Sequence, residues 1–154
     1  MHISRRAAAV GAAVFIGLAS LGAAGAAFAA APAAHNRVQV LRLHTKTVSA
    51  VVNHAGHGGP GDVTAVAFDL QTPAGAEAGK AYLSCTAATA SVNLCHAAYV
   101  LHGGQIDVQV AVLPSAANDT LAVTGGTGSY AGVTGWARAV DADRTFYLIR
   151  PGQN

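Results

Sequence analysis

The sequence predicts an all-β protein, a single eight-stranded antiparallel β-barrel behind a signal peptide. Past the N-terminal apolar run no segment sustains a helical period; short β-branched runs recur instead, punctuated by Gly, Pro, Asn and Asp. The connections are short enough for hairpins, and closing such a sheet leaves no exposed edge in a chain with few charges.

The export signal comes first. Residues 1–6 read M-H-I-S-R-R, a short positive start, and 7–31 carry no charge. The run ends A-F-A-A-A-P, where Ala27 and Ala29 supply the small residues that signal peptidase needs before its cut. Cleavage after Ala29 gives a signal peptide over 1–29, a short linker over 30–37 and a barrel domain over 38–154. The rival reading is a membrane anchor, since about 20 apolar residues span a bilayer. Alanine and glycine dominate this run and are weakly hydrophobic, so cleavage with no lasting anchor is expected. Ser4-Arg5-Arg6 resembles a twin-arginine start, but Ala7-Ala8-Ala9 lacks the large apolar residues that usually follow. Export to the envelope or the medium is expected, with the route open.

Losing Arg5 and Arg6 leaves seven basic residues against seven acidic ones. A near-neutral domain offers no basic face to nucleic acid or an anionic membrane. In an exported chain Cys85 and Cys95 are expected to be bridged. They lie symmetrically about Ala90, so a hairpin turning at 88–91 brings them face to face. Two unpaired core cysteines are the alternative; a metal site is weaker, because no Cys or His pattern completes four ligands.

Along the chain, the first run covers 37–52, and its apolar parity changes near Val40-Leu41, where a bulge is expected. A glycine-rich loop over 53–61 leads to a strand over 62–70 and a turn-rich connection over 71–79. Residues 80–87 and 92–102 form the cysteine hairpin, and Gly103-Gly104 turns into 105–113, where Ile106, Val108, Val110 and Val112 alternate with Gln105, Asp107, Gln109 and Ala111. A loop over 114–119, a strand over 120–124, the glycine-rich 125–132 and strands over 133–140 and 144–149 complete the set.

The stretch L-A-V-T-G-G-T-G-S-Y-A-G-V-T-G-W-A-R-A-V, from Leu121 to Val140, resembles the allene oxide cyclase-barrel and dirigent-like family. The shared pattern is a strand, then Gly125-Gly126-Thr127-Gly128, Tyr130, and Gly135 opening the next strand. Gly61-Asp62 before F-D-L at 68–70, Gly79 leading into Cys85, and L-H-G-G-Q-I over 101–106 agree in order, so the resemblance runs from about Val38 onward. It implies an eight-stranded barrel, homo-oligomeric and often trimeric in plant members, whose lumen binds a small apolar molecule. Plant dirigent proteins often place arginine directly before the glycine matching Gly135, where this chain has Thr134. No catalytic residue is carried over.

The remaining motifs are weighed on their chemistry. A dinucleotide loop needs its glycines to open a helix, and V-T-G-W-A-R-A-V after Gly132 has no helical period. Gly125, Gly126, Gly128 and Gly132 are therefore expected to form a structural turn. His54 and His57 sit three apart in a loop without a third ligand, so no metal is expected. His96 and His102 are read as structural. Asp69, Asp107 and Gln109 occupy the polar faces of their strands. Polar faces usually meet solvent; if the barrel exterior instead packs between subunits, these residues and Arg138 near Trp136 line a ligand pocket. Serine and histidine show no nucleophile-elbow spacing.

These readings converge on a secreted, cofactor-free barrel that binds a small apolar molecule in its lumen. A cofactor-independent isomerase or cyclase is the alternative, and a structural or interaction protein of the envelope with a filled barrel is the third. Protein collected from its host's medium or envelope is expected to begin near Ala30; N-terminal sequencing that returned Met1 overturns the export reading.

Overall fold

The computed structural model describes residues 37–54, 59–113 and 119–150. The expected signal peptide lies outside the described residues, as does the linker apart from Arg37. Eight strands follow in order: β1 (Arg37–Asn53), β2 (Val63–Gln71), β3 (Glu77–Thr89), β4 (Val92–Leu101), β5 (Gly104–Val112), β6 (Asp119–Gly126), β7 (Thr134–Val140) and β8 (Asp143–Arg150). Each pairs antiparallel with the next, and β8 returns to β1, so the sheet closes as a barrel. Among the described residues no helix is long and apolar enough to cross a membrane.

Strand β1 makes the closure. Its first half pairs with β8, from Arg37 opposite Arg150 to His44 opposite Asp143. Its second half pairs with β2, from His44 opposite Gln71 to Asn53 opposite Val63. The bulge expected near Val40-Leu41 lies at Val48 instead, where pairing shifts between Thr47 and Ser49. No bulge is needed earlier, because Val38 and Val40 simply face solvent, 63% and 50% exposed. The extra residue at Val48 reverses which residues face inward. Leu41, Leu43 and Thr45 point in before it, and Ala50, opposite Val66, points in after it.

Two other boundaries differ from expectation. Strand β3 begins at Glu77, because the chain reverses within Thr72–Ala76, where the Gly75 amide donates to the Thr72 carbonyl. Strand β6 runs on through Gly125 and Gly126, which pair with Asp107 and Ile106.

One face of every strand supplies the core: Leu43, Leu70, Ala81, Ala97, Tyr99, Ile106, Val108, Leu121, Val123, Ala137, Phe146 and Leu148 are all buried. Tyr99 and Phe146 meet edge to face across the interior, 4.9 Å between centroids, so this level of the barrel is filled. The adjacent end carries Arg150, whose guanidinium donates twice to Gln39 Oε1 at 3.0 and 2.8 Å and lies over the Tyr130 ring.

The two glycine motifs meet beside this end. The Ser129 amide donates to the Gly103 carbonyl at 2.7 Å, and the Thr127 amide to the Gln105 carbonyl at 2.9 Å. A Cβ on Gly104 would collide with the Thr127 carbonyl, and one on Gly126 would stand 2.6 Å from two carbonyl oxygens. Close backbone approach therefore excludes side chains here. Gly128 and Gly132 take positive φ, +59° and +71°, whereas a Cβ on Gly125 would enter open space.

Cys85 and Cys95 are opposite neighbours on β3 and β4 and form a disulfide with their Cα atoms 4.0 Å apart. Replacing both with alanine is expected to lower unfolding free energy in urea by about 2–3 kcal/mol, from the short closed loop. Phe146→Ala, which empties the centre of the core, should cost about 3–5 kcal/mol. A loss below about 1 kcal/mol for Phe146→Ala would mean that the Tyr99–Phe146 level is not the packed centre.

Candidate functional site in the barrel lumen

The four polar candidates read from the sequence all stand on the outer wall. Asp69 accepts from the Lys80 ammonium at 2.8 Å, and this bond raises the Lys80 pKa above its ordinary value. Asp107 accepts from the Gln105 amide. Gln109 is exposed on the same face of β5, and Arg138 is exposed on β7 beside Trp136. Trp136 itself stacks on Tyr147 across to β8, 4.0 Å between centroids. Positions on β2, β5 and β7 spread the four around the circumference, so the fold does not gather them.

The outer wall also carries two open grooves. One, about 390 Å³, crosses β1–β4 over Ala65, Ala67, Ser84 and Ala98, with Tyr82 and His96 beside them. The second, about 440 Å³, lies between β4 and β5 along Leu94, His96, Gln109 and Ala111. Both are open depressions of the outer wall, and they also border Val66, Leu83 and Val110. Neither would surround a ligand, whereas small-molecule sites typically bury about 70–90% of theirs.

The inward faces of the strands form the other candidate. Towards the end opposite Arg150, inward-facing positions on β2–β5 are apolar but only partly buried: Val66, Leu83, Cys85 and Val110. Val52, opposite Thr64 on the same rim, is 52% exposed. These inward side chains outline an apolar bowl above the Tyr99–Phe146 floor.

Three polar side chains adjoin this bowl, each on the inward face of its strand. Tyr99 shares its face with Cys95 and Ala97, Arg144 with Phe146 and Leu148, and Asp119 with Leu121 and Val123. Asp119 and Arg144 flank Ala139 in one cross-strand row, on β6 and β8. The Arg144 Nη1 group donates to the Asp141 and Asp143 carbonyls at 2.8 and 2.9 Å, anchoring the guanidinium at the β7–β8 hairpin. Thr45 Oγ1 donates to the Ala142 carbonyl of the same hairpin.

Burial raises the Tyr99 pKa above the usual phenol value, and the neighbouring Arg144 guanidinium opposes that rise without cancelling it. The phenol is therefore neutral at physiological pH and available as a donor. Reading the sequence for polar faces missed these residues, because each is a polar residue within an otherwise apolar row. Parity was the available signal, and it marks Tyr99 and Arg144 once the apolar rows are known to face inward. Among the described residues no group of three His, Cys, Asp or Glu is placed to hold a metal ion.

The architecture is a closed eight-stranded antiparallel barrel. No family model and no curated protein matches the chain. Solved structures do share its fold: a pyocyanin demethylase superposes with a TM-score of 0.64 at 21% identity, covering 73% of this chain and 100% of its own. The pterocarpan synthase dirigent protein GePTS1 gives 0.59 at 16% identity, over 77% of this chain and 88% of its own. The Diels–Alderase AbmU from Streptomyces koyangensis gives 0.54 at 18% identity, over 75% of this chain and 69% of its own. The expected likeness to dirigent and cyclase barrels thus holds at the level of fold.

The Tyr99 environment has a measurable signature. A raised pKa means that the folded state keeps this proton after the unfolded chain has lost it. The stability that this contributes is complete below about pH 10 and is lost as pH rises through the folded-state pKa. In an ultraviolet pH titration Tyr99→Phe should remove a phenol that ionises above the ordinary phenol value. Loss of a phenol that ionises at or below that value would contradict its burial.

Proposed function

We propose that the protein, once exported, holds a small apolar molecule in the open half of its barrel lumen. The observation that carries this reading is the set of inward apolar residues, Val66, Leu83 and Val110, left open to solvent above a filled floor. Covering such surface is worth about 25 cal/mol per Å², and a preformed barrel limits the ordering cost of binding. The structural neighbours, named as a demethylase, a pterocarpan synthase and a Diels–Alderase, support a lumen used for organic molecules. The Cys85–Cys95 bridge fits an oxidising compartment.

A cofactor-independent cyclase or isomerase is the second reading, favoured by Tyr99, Arg144 and Asp119 around the same bowl. Holding a flexible substrate in a ring-closing shape lowers a barrier by orientation alone, and a phenol or carboxylate could assist proton transfer. The exposed Tyr82, Leu94 and Val100 on the outer wall support the homo-oligomer that the family resemblance implies.

Binding of the neutral fluorophore N-phenyl-1-naphthylamine to the mature protein tests the first reading. Leu83→Trp, which fills the bowl, should weaken binding at least tenfold. Tyr82→Ala, one residue away but on the outer wall, should leave it unchanged. Binding that survives Leu83→Trp and is lost in Tyr82→Ala would move the site to the outer groove and overturn the lumen reading.

A further inference from the structure

Arg144 is an arginine on the inward face of a barrel that is otherwise lined almost wholly by apolar side chains. Three ion pairs form among the described residues, His44–Asp143, His54–Asp62 and Lys80–Asp69, and none involves Arg144. Its hydrogen bonds go to the backbone carbonyls of Asp141 and Asp143, both from Nη1. A guanidinium has five N–H donors in a rigid fork, so beyond these carbonyls and the Tyr99 hydroxyl, with which it also interacts, hydrogens remain for a further acceptor. Asp119 shares the inward row but stands beyond Ala139 and makes no ion pair with Arg144. Next to Arg144 along β8 comes Phe146, which Tyr99 meets edge to face. The cation is thus fixed by the hairpin at the edge of an apolar floor, with a phenol O–H close by.

We propose that the lumen selects apolar molecules carrying an oxyanion, docked with the oxyanion on Arg144 and the Tyr99 hydroxyl and the apolar body against Leu83 and Val110. The proposal rests on the lumen reading above and names its ligand class. This guanidinium has no carboxylate partner, so a ligand oxyanion adds charge-assisted hydrogen bonds that a neutral molecule cannot. Asp119 opposes any anion, but the greater separation across Ala139 and the solvent at the rim weaken that repulsion relative to the contact at Arg144.

A matched series of naphthalenes tests this: 2-naphthoate and 2-naphthalenesulfonate as anions, 2-naphthalenemethanol as the neutral form and 2-naphthylmethylammonium as the cation. Affinities are measured on the unmodified mature protein at pH 7 by calorimetry. Both anions are expected to bind at least tenfold more tightly than the alcohol, with the ammonium weakest. Arg144→Met, which keeps an apolar stem, should reduce the anion preference to within about twofold while the alcohol still binds; near-ultraviolet circular dichroism checks its fold. Tyr99→Phe should lower anion affinity by a smaller factor. Equal affinity for anion and alcohol, with Leu83→Trp abolishing both, would overturn the oxyanion assignment and leave the lumen reading standing. No binding by any member, or binding indifferent to Leu83→Trp, would overturn both. The series on the unmodified protein decides the matter even if Arg144→Met fails to fold.

Discussion

Strand β1 has to satisfy two neighbours at once, and the rest of the barrel depends on how it does so. Over its seventeen residues it hands its pairing from β8 to β2 near His44. Without that strand, β2 and β8 would each present a row of unpaired amides and carbonyls, the usual template for aggregation. The bulge at Val48 makes the double pairing compatible with a single core. It turns Leu41 and Leu43 inward on one side and Ala50 inward on the other, so one strand contributes to both halves of the wall. A strict alternation without the bulge would face one of those halves outward.

Closure then divides the interior. At the level of Tyr99 and Phe146 the small residues Ala81, Ala97 and Ala137 leave room for two aromatic rings, and the rings fill it. Beyond them, Gln39, Arg150 and Tyr130 gather at one end. Towards the other end Val66, Leu83 and Val110 stay partly exposed. The disulfide ties β3 to β4 at this rim. The bridge restricts the freedom of the unfolded chain around this hairpin.

Polar groups follow the same division. Among the described residues no buried side-chain nitrogen or oxygen lacks a partner. Thr45 donates to the backbone of the turn between β7 and β8, and Arg144 anchors its Nη1 group on the same turn. The wall outside holds most of the charge: Asp69 with Lys80, His44 with Asp143, and the exposed Arg138. Exposed pairs of this kind contribute little stability, about 0–1 kcal/mol each, so the fold rests on apolar burial and the closed hydrogen-bond ladder.

Much of this was legible in the chain itself. Period-two alternation at 105–112 marks β5, the spacing of Cys85 and Cys95 about Ala90 marks the hairpin that joins them, and glycine clusters mark the reversals. All of these are encoded by neighbours along the chain, which is why strand number and order could be read before any coordinates. Alternation also named Asp69, Asp107 and Gln109 as a polar face, but it does not say whether that face is inside or outside. Only the closed barrel placed them outside, because burying the opposite, apolar face is the larger gain. Contacts between strands distant in sequence were likewise beyond the linear chain: Gly104 beneath Thr127, Tyr99 against Phe146, Asp119 and Arg144 in one row. Such meetings depend on the stagger with which the sheet closes, a property of all eight strands together.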